Sequence, residues 1–213
     1  MLKTKIAVLV SGGGTNLQAL IDAQRIGKIK SGEIALVLSS NPTAFALSRA
    51  KNAGIPTVTV ARKKCKDSAE FEEKIIKALD KYGAEIIVLA GFMSILSADF
   101  TKKYENRIIN VHPSLIPAFC GKGFYGLAVH EAALSYGVKV TGATVHFVNE
   151  IPDGGKIISQ KAIKVNKDDT PESLQKRVMR MCEWKILPEA CEKVCADIAK
   201  SKPGEKQNTR KGK

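Results

Sequence analysis

The strongest constraint on this chain is a regular alternation of short apolar runs with amphipathic stretches of helical period, separated by glycine, proline or capping residues. Residues 5–10 (KIAVLV) form an apolar run ending in Ser11-Gly12-Gly13-Gly14, and Thr15-Asn16-Leu17-Gln18 then opens a helical pattern with the Thr-x-x-Gln form of a capping box. Residues 33–40 read as a second strand, 43–53 as a helix stopped by Gly54, and 56–61 as a third strand. Asp67 caps a helix running through Tyr82, Gly83 ends it, and 85–91 (EIIVLAG) is another buried strand. A short helix at 97–104 precedes the strand 107–112 (RIINVH). A helix at 125–136 stops at Gly137, and strands at 138–148 and 156–165 flank the hairpin-like turn 151–155. Thr170-Pro171 caps a last helix expected to reach about Lys200, with a break near Pro188. This order predicts the α/β class: a doubly wound, mostly parallel, Rossmann-like sheet with helices on both faces and ligands at the carboxyl ends of its strands.

The 213 residues suit a single domain, expected over 1–200, followed by a basic, mobile tail over 201–213. With 44% hydrophobic and 26% charged residues, the composition is that of a globular rather than a disordered protein. No apolar stretch reaches the roughly 18 residues of a spanning helix and no secretory core follows Met1, so no membrane partner and a cytoplasmic location are expected. The five cysteines (Cys65, Cys120, Cys182, Cys191, Cys195) are odd in number and lack CxxC spacing. They fit reduced, packed thiols better than disulfides or a zinc site, and no metal is expected. Of the net charge of +13, the tail holds +4, where five basic residues face Glu205, and +9 is spread over the rest without an aromatic-interleaved stripe. Such a surface suits small polyanionic substrates or simply solvated lysine faces, and no nucleic-acid partner is expected.

Three clusters carry chemistry. The loop Ser11-Gly12-Gly13-Gly14-Thr15-Asn16 can bring bare backbone N–H groups and a helix N-terminus onto an anion. It has Leu17 where a dinucleotide fingerprint needs its third glycine, and the second strand ends without an acid for a ribose. A lone phosphate ester is therefore favoured over a dinucleotide, against the plain alternative of a tight turn with no ligand. The second cluster is Asn110-Val111-His112-Pro113, where alternation puts Asn110 and His112 on one side of a strand. A strand-end histidine taken alone is more often structural than catalytic, yet His112 is the best placed of only three histidines for acid/base work. The third is His146-Phe147-Val148 followed by Asp153-Gly154-Gly155, where a carboxylate on a glycine-flanked turn can reach another strand end and orient a histidine. Asp153 alone reads as an ordinary turn aspartate.

Taken together, SGGGTNLQALID at 11–22, VLAGFMSIL at 88–96, INVHPSLIP at 109–117, GVKVTGATVHFV at 137–148, DGGKII at 153–158 and EWKILP at 183–188 resemble the folate-dependent glycinamide ribonucleotide formyltransferases. The resemblance spans roughly residues 5–199 and implies the formyltransferase fold. It matches Asn110, His112 and Asp153 to the family's catalytic trio. It matches Gly14, Thr15 and Asn16 to the segment holding the substrate phosphate, and Glu183 to a glutamate that contacts the ribonucleotide. Met93, Ser94, Ile95 and Leu96, with Asn149, Glu150, Ile151, Pro152 and Asp153, match the folate-binding segments. Ser94 stands where relatives commonly carry arginine, Ala69 falls near another such position, and the 119–123 loop departs from the commoner Pro-Gly form.

The resemblance implies transfer of a formyl group from 10-formyltetrahydrofolate, as co-substrate, to the amine of glycinamide ribonucleotide in purine synthesis. It implies small-molecule partners and a monomer or homodimer. The runner-up is another folate-dependent formyl enzyme, such as a formyltetrahydrofolate deformylase; a non-catalytic phosphate- or nucleic-acid-binding module is the alternative from a different class.

Overall fold

The computed structural model describes residues 2–201. Seven strands form one sheet: β1 (Thr4–Val10), β2 (Gly32–Ser39), β3 (Thr57–Thr59), β4 (Ile86–Leu89), β5 (Ile108–His112), β6 (Val140–Phe147) and β7 (Ile157–Lys164). Their spatial order is β3-β2-β1-β4-β5-β6-β7. The first five are mutually parallel, and β6 and β7 are added antiparallel as a hairpin. The direction of winding reverses between β1 and β4, where ligands of open α/β sheets bind.

Strand alternation builds two cores. Ile6, Val8 and Val10 of β1, with Ile86 and Val88 of β4, face one layer; Ala7, Leu9, Ile87 and Leu89 face the other. The first layer packs under α1 (Thr15–Arg25), α2 (Phe45–Asn52), α6 (Pro171–Val178) and α7 (Trp184–Ser201). The second is covered by α3 (Ser68–Lys81) and α4 (Ala98–Lys103). The apolar stripe of α3 shows why: Phe71, Ile75 and Leu79 recur at helical spacing, all are buried, and each contributes roughly 1.5–3 kcal/mol. The remaining helix, α5 (Leu127–Tyr136), ends at Gly137 in the left-handed conformation.

Two expectations need correction. The Thr15–Gln18 capping box does not form: Gly14 is the N-cap residue, at φ 73°, and α1 carries no side-chain cap. Gly14 is required there, because a Cβ would lie 2.6 Å from that of Ala46 and 2.8 Å from its Cα. The break in the last helix is not at Pro188, which sits inside α7, but in a five-residue π turn at Met179–Glu183. The widened turn carries Cys182 and Glu183 into the interior, where both are buried. The tail expected over 201–213 lies outside the described residues, except Ser201, which ends α7. Among the described residues no helix is long and apolar enough to cross a membrane.

Candidate active site

The carboxyl ends of β1, β4 and β5 open on one side of the sheet, joined there by the loops around β6. They border a cleft of about 810 Å³ whose walls include Asn16, Asn110, His112, Asp153 and Glu183. A smaller hollow of about 150 Å³ lies between segments 89–96 and 146–153, and Asn110 and Asp153 line both spaces.

The first loop borders the cleft. Its carbonyls turn back on α2: Gly12 accepts from the Ala46 N–H at 3.1 Å and Gly13 from the Arg49 Nε at 2.9 Å. With no capping side chain, the first-turn N–H groups of α1 stay available to an anion. Asn16 donates from Nδ2 to Glu183 Oε2 at 2.7 Å, while its buried Oδ1 has no partner among the described residues. Burial pushes the Glu183 carboxyl up to about 7, against the lowering effect of the Asn16 hydrogen bond. Gly14, the N-cap of α1, and Thr15, its first residue, adjoin the cleft rather than line it.

The other end is built by Asp153, which adopts a left-handed φ of 55° on its turn. Its Oδ2 accepts from the Gly121 N–H at 2.9 Å and lies 3.5 Å from His112 Nδ1; its Oδ1 lies 3.5 Å from His146 Nε2. Burial raises the Asp153 pKa, but the His146 contact, the Gly121 N–H and the two histidine charges together outweigh it and hold the carboxyl below its ordinary value. On its far side, His112 donates from Nε2 to the Phe119 carbonyl at 2.8 Å. Acceptors therefore face both ring nitrogens, an arrangement that suits the doubly protonated ring. Phe119 itself has a left-handed φ of 49°. A third histidine, His130, also lines the cleft; burial first, and the charge of His112 second, depress its pKa to about 4, which keeps it neutral.

His146, which the sequence reading left without a role, lines the smaller hollow and lies against both Asp153 and Asn110. Antiparallel pairing sets Asn110 opposite His146 and His112 opposite Thr144. His146 donates from Nδ1 to the Phe147 carbonyl at 2.7 Å, and its Nε2 lies 3.3 Å from Asn110 Nδ2 and 3.5 Å from Asp153 Oδ1. The signal was present in the period-two spacing of Thr144 and His146, but it became readable only with the β5–β6 register.

Segments 93–96 and 149–153 come together as expected. Ser94, Ile95, Leu96 and residues 149–153 line the smaller hollow, and Met93 lines the cleft. Segment 93–96 is held at both ends. The Met93 N–H bonds Ser11 Oγ at 2.9 Å, and Glu72 accepts from the Ser97 N–H and hydroxyl at 2.7 and 2.6 Å.

Residues 4–191 match the family model described as formyl transferase. The chain belongs to the formyl transferase family. It is 41% identical over 184 residues to the phosphoribosylglycinamide formyltransferase of Haemophilus influenzae, covering 86% of this chain and 84% of the relative. It is 43% identical over 194 residues to the trifunctional purine biosynthetic protein adenosine-3 of Homo sapiens, covering 91% of this chain. The chain spans only 18% of that much longer relative. The crystal structure of glycinamide ribonucleotide transformylase 1 from Symbiobacterium toebii superposes with a TM-score of 0.85 at 38% identity, covering 92% of this chain and 89% of that one. The chain thus shares its α/β architecture with a relative of known fold.

Proposed function

We propose that the chain is a phosphoribosylglycinamide formyltransferase, moving the formyl group of 10-formyltetrahydrofolate to the amine of glycinamide ribonucleotide in purine synthesis. The observation that carries the reading is Asp153, clamped between His112 and His146 where the cleft and the smaller hollow meet. The ribonucleotide phosphate rests on the first loop around Gly14, Thr15 and Asn16, and Glu183 takes the ribose side. The folate head enters the hollow lined by segments 93–96 and 149–153, which presents its formyl carbon to Asn110 and His112.

The amine attacks the formyl carbon, its lone pair forming the new C–N bond while the carbonyl electrons move to oxygen. Asn110 N–H and the His112 imidazolium stabilise that oxyanion, about 3–4 kcal/mol per well-placed donor. The oxyanion competes with the Phe119 carbonyl for the His112 Nε2–H. Asp153 holds the positive charge on the ring and, directly or through water, relays a proton from the attacking nitrogen to the departing folate nitrogen. The C–N bond to folate then breaks as the carbonyl re-forms. Protein donors supply the stabilisation, so the step calls for no metal. The same reading makes the protein a cytoplasmic enzyme working on two small molecules, with no nucleic acid or membrane as partner, as a monomer or homodimer.

Purified protein with 10-formyltetrahydrofolate tests this. Folate should be deformylated only when glycinamide ribonucleotide is added, with one formylated product per folate consumed. Equal folate consumption without the acceptor identifies a deformylase, and no consumption in either case removes the catalytic reading.

A further inference from the structure

The loop proposed to take the ribonucleotide phosphate, residues 11–16 (SGGGTN), has no cationic side chain of its own. The one lysine or arginine in the wall of the cleft is Lys122, which follows the Gly121 N–H that bonds Asp153 and so belongs to the other end. Among the described residues, Arg49 on α2 is the only cation that hydrogen-bonds this loop, and the mechanism above gives it no part. Its Nε donates to the Gly13 carbonyl at 2.9 Å and its Nη1 to Gln18 Oε1 at 3.2 Å. The guanidinium carbon stands 5.0 Å from the centroid of the Phe45 ring, and Cδ lies 3.5 Å from where a Gly14 Cβ would be. Two acceptors and an aromatic face therefore hold one planar group, a task that suits arginine and not lysine.

What that group fixes is a peptide plane. In a trans peptide the carbonyl and the following N–H point in opposite directions, so a Gly13 carbonyl held by Arg49 aims the Gly14 N–H away from α2. The Gly12 carbonyl, bonded by the Ala46 N–H at 3.1 Å, does the same for the Gly13 N–H. Neither N–H donates to an acceptor among the described residues. A Cβ on Gly12 or Gly13 would meet nothing within 4 Å, so packing leaves this stretch of backbone open to a ligand.

Three successive glycines are conformationally loose. A Gly13–Gly14 peptide that flipped would present a carbonyl oxygen to the anion in place of an N–H, exchanging attraction for repulsion. Arg49 opposes that flip, and its full positive charge adds to the partial charge at the N-terminus of α1.

Resting on the phosphate reading of the first loop, we propose that Arg49 is a positioning residue for the phosphate of the acceptor: it locks the Gly13–Gly14 peptide with the N–H toward the anion and does not itself touch the ligand. Arg49 is absent from the wall of the cleft, so its action passes through the loop. The lock serves the phosphate alone. The folate hollow and the reacting atoms lie at the other end, so removing Arg49 costs affinity for a phosphorylated acceptor and leaves the chemical step intact.

The test measures formyl transfer to glycinamide ribonucleotide and to the same acceptor without its phosphate, glycinamide riboside, in the full chain and in Arg49→Met and Arg49→Lys variants. The native protein should prefer the ribonucleotide. In Arg49→Met the ribonucleotide KM should rise about tenfold, the scale of one hydrogen bond to a charged group, with kcat and the folate KM unchanged. Transfer to the riboside should be the same in both proteins, which a general loss of structure would not allow. Arg49→Lys keeps the charge without the fork and should recover only part of the loss. A native ribonucleotide KM in Arg49→Met, an equal loss with the riboside, or full recovery by lysine overturns the lock. A native protein that does not distinguish the two acceptors overturns the phosphate reading of the loop as well, so the two failures are separable. Calorimetric titration with ribose 5-phosphate makes the same comparison without turnover, with binding expected to weaken about tenfold in Arg49→Met. If the melting temperature exposes a folding defect in that variant, Arg49→Lys decides: a raised ribonucleotide KM supports the lock and a native one removes it.

Discussion

The two ends of the cleft each hold a carboxylate, and their surroundings push the two in opposite directions. Glu183 is buried beside a single amide, so desolvation wins and its pKa rises to about 7. Asp153 is also penalised by burial, yet two histidines and a backbone N–H reverse the outcome and lower its pKa. The difference shows that burial alone does not set a carboxylate's role; the number and charge of its partners do. A permanently charged group belongs at the end where an imidazolium must be held. A group that is neutral when desolvated suits the end proposed to receive an uncharged sugar beside a phosphate.

The largest break in this contrast comes from Asp153→Asn, which keeps the size and the turn but removes the charge. We expect kcat to fall on the order of a hundredfold or more, with substrate dissociation constants little changed, as measured by single-turnover transfer and direct titration. A folded variant with near-native kcat would return Asp153 to the rank of a turn residue.

Next in size is Gly14→Val, which acts only at the other end. The added carbons would collide with the Ala46 backbone and Cβ and displace the loop. The KM for ribonucleotide should rise at least tenfold, an effect of about 1.4 kcal/mol or more, and far more than the KM for folate. Equal damage to both constants would count against a phosphate role for this loop.

Glu183→Gln sharpens the comparison through stability. The ordinary carboxyl value of 4.5 lies below the folded value of about 7. Between them the unfolded chain releases a proton that the folded protein keeps, so Glu183 makes stability fall as pH rises through this window, by roughly 3 kcal/mol in total. Glutamine removes that dependence. The variant should melt several degrees above the native protein at pH 8 and near it at pH 4.5, with a ribonucleotide KM raised a fewfold. Parallel melting curves at both pH values would contradict the burial argument. Smallest of all, removing residues 202–213 should leave kcat within about twofold, consistent with a catalytic domain that ends near residue 200.

Much of the fold was legible because β/α alternation is a local pattern: the buried runs at 5–10, 85–91 and 107–112 became β1, β4 and β5. Caps written in side chains were legible too, as at Asp67 and Thr170. The first helix was misread because Thr15 and Gln18 satisfy a local motif, whereas Gly14 is selected by a tertiary approach to Ala46. Pro188 likewise marked a weak point in the last helix, but the π turn formed upstream, where it buries Glu183. Asn110, His112 and Asp153 converge as expected. His146 and the Phe119 carbonyl did not stand out, since the first depends on an inter-strand register and the second on a loop carbonyl that no side-chain pattern encodes.

An ionised carboxylate at the reaction end and a protonated one at the ribonucleotide end are tested most directly by following the side-chain carboxyl carbons of Asp153 and Glu183 by NMR across pH. At pH 6 Asp153 should be fully ionised and Glu183 mostly protonated, with the Glu183 midpoint near 7. A Glu183 midpoint at the ordinary 4.5, or an Asp153 that titrates above it, would contradict the account.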